Sequence, residues 1–384
     1  MPIAAHRALR TTARGLIAAS LLLAFGRSGQ SEAQALIKVN DSINFKLGLL
    51  LQPQADFQEV GKVGVNESGG YSQNLLIRRV RLLVGGQVSK NVFFFLETEN
   101  SQLGKSTQTA TGTTGVKALG SGFNVLDAVA EWRIAKEFNV QVGEIRVPTS
   151  REGLKSSPTQ FMLDFSAYAF LTSAATQSNA GRDTGAMARG YFFCDRLEYR
   201  AGVFQGFRQP GVKNSYRTAA RLQYNFFDTE VYNFVSYAGS NLGAKKILAI
   251  GAGYDTQMDY KFASADLYID FPIPLGAFES TVQYQYANGG NTFATLPQQS
   301  TFQIEGGVFL KALKIAPIVR YEQQTFTADI DQPKNQGRVA VGLNFYPRAK
   351  AENNFNLKVW WQRVTPKVGF PTNQFTFQMQ AYYF

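Results

Sequence analysis

From residue 43 to the end of the chain, apolar and polar side chains alternate in segments of about ten residues, separated by turn residues. Alternation with a period of two places successive side chains on opposite faces of a strand. After residue 35 no apolar run approaches the roughly 20 residues that a membrane-spanning helix needs. The chain is therefore read as all-β. Strands are expected at 43–52, 75–88, 92–100, 124–133, 141–147, 184–193, 197–206, 216–227, 247–256, 261–271, 277–288, 301–311, 315–326, 337–346, 355–364 and 374–384. Residues 229–246 are ambiguous. Counting them as a strand gives an odd total and reverses the order of short and long connections. Counting them as an extended turn restores that order and leaves about sixteen strands, an even number.

The alternation sorts the side chains into two sets. In the second strand Leu76, Val80, Leu82 and Val84 are placed outward, opposite Arg79 and Arg81. In the fourth, Leu126, Ala128, Ala130 and Trp132 oppose Asp127 and Glu131; in the fifth, Glu144 and Arg146 share a face. A soluble sandwich would alternate in the same way. The number of strands and the aromatic residues at strand ends (Phe226 and Phe227, Phe345 and Tyr346, Tyr382 and Tyr383) favour a transmembrane antiparallel β-barrel, whose lumen takes the polar face.

The N-terminus reads as a secretory leader. Arg7, Arg10 and Arg14 precede an apolar stretch at 15–25, and Ala33-Gln34-Ala35 is a small-residue cleavage site. Cleavage there would give a leader at 1–35 and a single barrel domain at 36–384. It would remove four arginines and one glutamate, so the net charge of +11 becomes +8. It would also remove His6, the chain's one histidine, which excludes His-based triads and His metal sites from the mature chain. Cys194 has no second cysteine to pair with. Gly104-Lys105-Ser106 lacks the earlier glycine of a phosphate loop, because position 99 is glutamate. Gly251-Ala252-Gly253 lacks the third glycine of a dinucleotide fingerprint. No enzyme, cofactor or nucleic-acid partner is expected.

An ordered set of short motifs resembles the phosphate-selective porin O/P family. They are Arg78-Arg79-Val80-Arg81, Gly143-Glu144-Ile145-Arg146-Val147-Pro148, Gly181-Arg182-Asp183-Thr184-Gly185, Gly202-Val203-Phe204-Gln205-Gly206 and Gly251-Ala252-Gly253-Tyr254. The resemblance implies a trimeric outer-membrane porin of about sixteen strands, with its third long loop folded into the lumen and a preference for small anions, phosphate above all. Such a chain would meet lipid and lipopolysaccharide. Its terminal Phe384 resembles the signal read by the barrel-assembly machinery.

The third long loop falls at 149–183, where Phe161, Phe165, Tyr168 and Phe170 argue against disorder. Anion pores use rings of Arg or Lys, and the arginine fork suits oxyanions. Arg151, Lys155 and Arg182 are the loop's candidates; Arg79, Arg81, Arg146, Arg200, Arg217 and Arg221 are the wall's. Wall bracing is the alternative for each, because Glu97, Glu99, Asp127, Glu131, Glu144 and Glu198 are expected on the same face, and Arg182 is expected to hold the loop base through Asp183. If the acids offset the bases, the pore is a general, non-selective one.

Overall fold

The computed structural model describes residues 35–59, 70–106, 122–210, 215–230, 234–347 and 353–384. All of the expected leader except Ala35 lies outside the described residues, as do parts of the loops expected at 61–73 and 101–122. A short strand, β1 (Ala35–Lys38), precedes sixteen longer ones. These are β2 (Asn44–Glu59), β3 (Tyr71–Ser89), β4 (Val92–Leu103), β5 (Asn124–Arg133), β6 (Asn139–Arg146), β7 (Arg182–Phe192), β8 (Leu197–Phe204) and β9 (Arg217–Asn225). They continue as β10 (Ile247–Gln257), β11 (Tyr260–Ile273), β12 (Gly276–Asn288), β13 (Gln299–Leu310), β14 (Ile315–Phe326), β15 (Gln336–Phe345), β16 (Phe355–Pro366) and β17 (Thr372–Tyr383).

Each of these sixteen pairs antiparallel with the next, and β17 pairs with β2, so the sheet closes on itself. Closure satisfies every ladder without leaving an edge, which a sheet in hydrocarbon requires. The outer face carries exposed Leu47, Leu49, Leu82, Leu222, Ile304 and Val341, whereas Gln52, Glu131, Arg221, Asp266 and Glu305 are buried on the inner face. Lipid contact stabilises each large apolar side chain by about 1.5–3 kcal/mol relative to water. Strands β2 and β3 are longer than the roughly ten residues a tilted membrane strand needs; their hairpin runs on through positions expected to be loop.

The described residues of 229–246 belong to none of these strands and fit an extended turn. Phe226 N–H donates to Leu248 C=O and Asp228 N–H to Lys246 C=O, both at 2.9 Å, so its base closes like a hairpin.

Two outward assignments need correction, and both sit at bulges. Arg79 pairs with Gln52 and Ile77 with Pro53, which leaves Arg78 as an extra residue in β3. The extra residue reverses the phase of everything before it. Leu76 is thereby turned inward, at 6% exposure, and Leu75 faces out at 81%. In β5, Asp127 pairs with Glu97 and Val125 with Thr98, and Leu126, the residue left over, is buried.

At the chain terminus the Phe384 ring meets Phe95 edge-on, 5.6 Å between centroids, with the Lys46 ammonium 4.6 Å from its own centroid. Gly48 and Gly85 make this seat possible: a Cβ on either would lie within 2.8 Å of the Phe384 ring.

Candidate functional site

The segment between β6 and β7 holds two short helical turns. The first, α1 (Arg151–Leu154), is capped by Ser150, whose Oγ accepts from Gly153 N–H at 3.2 Å. The second spans Ser157–Thr159, with Pro158 at its start. Such short turns do not stand alone in water. Hydrogen bonds to side chains all round the barrel hold them.

Arg81 donates to Ser157 Oγ at 2.5 Å and Arg146 to Lys155 C=O at 2.8 Å. Ser264 of β11 donates to Thr149 C=O, and Glu152 N–H donates to Gln283 of β12. Lys155 reaches Glu305 of β13, while Ser166 and Ala167 donate to Glu322 of β14. Asn344 of β15 donates to Phe161 C=O, and Gln380 of β17 to Pro158 C=O. Lys358 of β16 gives its ammonium to Gln160 and Met162 C=O at 2.7 and 2.6 Å. Below these bonds Phe161, Met162 and Leu163 pack on Phe309, Ile318 and Trp360.

The extended turn meets the same segment. Tyr237 N–H donates to Leu154 C=O and Ser156 N–H to Tyr237 C=O, each at 2.9 Å, in a parallel bridge between Lys155 and Tyr237. Gly239 lies against Thr159 so closely that a Cβ would fall 2.5 Å from the Thr159 carbonyl oxygen. Arg151 clamps Glu230 through two bonds of 2.6 and 2.5 Å and lies 3.6 Å from the centroid of Tyr268.

Every candidate cation has an acidic partner. Arg79 bonds Asp164 at 2.5 Å. Arg81 bonds Glu97 at 2.9 Å and also Glu99. Arg146 lies 3.7 Å from Asp127, and Arg182 donates to Asp127 at 3.0 Å. Arg200 bonds Glu198, Arg217 bonds Asp255 and Arg221 bonds Asp266, at 2.9, 2.7 and 2.6 Å. Arg151 and Lys155 are 0% and 1% exposed, and Lys155 sits between Glu152 and Glu305 at 2.8 and 2.6 Å. Arg151 and Lys155 are thus both ion-paired and closed off from solvent. Arg182 holds Asp127 rather than Asp183, whose carboxylate takes Gly206 N–H and Arg217 instead. Glu144 does not join the charged interior with Arg146; it accepts from the exposed Thr184 hydroxyl.

Alternation did not single out Asp164, Glu230, Glu305, Arg320 or Lys358. The register offered one signal: Glu305 stands opposite Arg320 on adjacent strands, and like-charged Arg200 stands opposite Arg221, so nearby acids are required.

One open space adjoins these bonds, a cavity of about 250 Å³ bordered by Arg78, Lys105, Asp164, Gln54, Gln374 and Trp360. Arg78 Nε donates to Asp164 at 2.8 Å. Burial pushes the Asp164 carboxyl up, but the Arg78 and Arg79 guanidiniums outweigh it and hold it well below the usual aspartate range. A carboxyl lowered by folding stabilises the folded state above its unfolded value, and that gain is lost only as pH falls through the lowered one. The Asp164 clamp should therefore persist at about pH 4, where a free aspartate is about half protonated. The pH profile of chloride conductance between neutral pH and about pH 4 should then have the same shape in wild type and in Asp164→Asn; a transition near pH 4 present only in wild type would show that the clamp does not lower Asp164.

Comparison with known proteins places this architecture. The sequence model of the phosphate-selective porin O and P family matches residues 45–245. No curated protein matches. Among solved structures, the anion-selective porin from Comamonas acidovorans is 10% identical, with a TM-score of 0.59 over 88% of this chain and 99% of that one. The outer membrane channel DcaP of Acinetobacter baumannii is 12% identical, with a TM-score of 0.56 over 90% and 99%. OmpT of Vibrio cholerae, in its trimer form, is 9% identical, with a TM-score of 0.52 over 88% and 99%. At these identities the likeness is one of fold. The family match spans just over half of the sequence, and the closed barrel is the fold it calls for, so the chain belongs to the phosphate-selective porin O and P family of Gram-negative outer-membrane porins.

Proposed function

We propose that the chain is a passive outer-membrane diffusion channel for small oxyanions, phosphate among them, with residues 149–183 as its constriction loop. The observation that carries this reading is the family match together with the place of the long segment, whose bonds reach β3, β6, β9 and each of β11 to β17. Arg78 and Lys105 at the cavity supply positive charge where a solute would enter. The leader at 1–35, insertion through the barrel-assembly machinery by way of Phe384, contact with lipopolysaccharide and a homotrimer belong to the same reading.

The purified protein in a planar bilayer under a potassium chloride gradient should give a reversal potential of the sign set by chloride. Cation preference would remove the anion reading. The pairing of every candidate cation with a carboxylate favours a second reading, a general porin. A reversal potential near zero would select it.

A further inference from the structure

Asp164 sits where a bound oxyanion would sit. Arg79 Nη2 donates to its Oδ1 at 2.5 Å, and Arg78 Nε donates to its Oδ2 at 2.8 Å. Charge-assisted bonds from guanidinium groups of this kind hold phosphate oxygens as readily as carboxylate oxygens. Two consecutive strand residues ordinarily point to opposite faces. Here Arg78 is the extra residue of the β3 bulge, so both side chains converge.

This pair differs from the other arginine–carboxylate pairs. Arg221–Asp266 and Arg217–Asp255 join strand to strand, Arg200–Glu198 lies within β8, and all six side chains are buried. Asp164 belongs to the long segment rather than to the wall. The Arg78 and Asp164 side chains keep 23% and 27% of their surface, and both border the 250 Å³ cavity beside Lys105. A solute in that cavity can reach the guanidinium without crossing protein.

We propose that Arg78 and Arg79 form an oxyanion-binding site that the Asp164 carboxylate occupies in the resting pore, and that a permeating oxyanion takes its place by competition. This rests on the reading of the chain as an anion channel and names the first site of that path. A tethered competitor also solves a problem of conduction. A pair of arginines alone would hold a phosphate too well, and a site that conducts must let the ion leave. Asp164, fixed a few ångströms away, returns to the arginines and speeds that departure.

The test is phosphate inhibition of chloride conductance in planar bilayers, with the reversal potential measured on the same channels. A site blocked by its own chain binds with an apparent constant weakened by the fraction of time it is free, so a site free about a tenth of the time should show half-inhibition at about tenfold lower phosphate after Asp164→Asn. Arg78→Gln leaves the Arg79–Asp164 bond in place and serves if the first variant does not insert. It should raise the half-inhibiting phosphate concentration severalfold and keep the sign of the reversal potential. Equal half-inhibition in wild type, D164N and R78Q would overturn the site while leaving the anion channel standing. A cation-selective reversal potential would overturn the channel reading, and the phosphate titration would still report on the site.

Discussion

Alanine at position 305 is expected to remove the long segment's ionic attachment to β13 and to destabilise the protein by about 3–5 kcal/mol, the usual cost of orphaning a buried charge. Glu305 divides its two oxygens between two cations. Oε1 accepts from Lys155 Nζ at 2.6 Å, and Oε2 accepts from Arg320 Nε at 2.8 Å. Arg320 in turn donates to the carbonyls of Asp164 and Phe165, so one carboxylate supports two separate attachments of the segment. Without it, Lys155 keeps only Glu152, and Arg320 keeps only carbonyl partners within hydrogen-bond reach. Unfolding of the detergent-solubilised protein by denaturant checks this. A loss below about 1 kcal/mol would mean that the pair behaves like an exposed one. Glu305→Gln, which keeps the shape and drops the charge, separates the ionic part from the packing part.

Alanine at position 230 should have a similar effect by way of Arg151. Arg151 is fully buried, and its fork is bound to Glu230 through both terminal nitrogens. Gln223 also donates to Glu230 at 3.0 Å, so the truncation leaves an amide and a guanidinium short of an acceptor. A loss of about 3–5 kcal/mol is expected again. The two alanines should not add. Independent sites add within about 0.3–0.5 kcal/mol, but both carboxylates hold the same few residues, so a segment already loosened by one change has less to lose to the other. Strict additivity in the E305A/E230A double variant would show that the two anchors act on separate parts.

The wall was legible in the sequence and the centre was not. Sixteen strands could be counted because lipid on one side and polar groups on the other impose the same alternation on every strand, and the order of long and short connections identified 229–246 as a turn. Leu76 and Leu126 were misplaced because a bulge adds one residue without changing composition. The run Leu75-Leu76-Ile77 reads equally well in either phase. The nine candidate cations do lie inside, and Arg81 and Arg200 meet acids named on the same face, yet three others take partners from far along the chain: Lys155 from Glu305, Arg151 from Glu230, Arg79 from Asp164. Alternation reports which face a side chain takes. It carries no information about what stands across the barrel, and that is where bracing and ion contact part ways.

The bond from Gln380 to Pro158 has a bearing on how the chain is made. Residue 158 emerges long before residue 380, so the segment must wait, unanchored on that side, until the last strand has arrived and sealed the cylinder. A chain cut short before β17 would therefore lose more than its closing seam: the Pro158 carbonyl would go without its amide donor as well. Final shaping of the passage is an event of late biogenesis, governed by the end of the polypeptide.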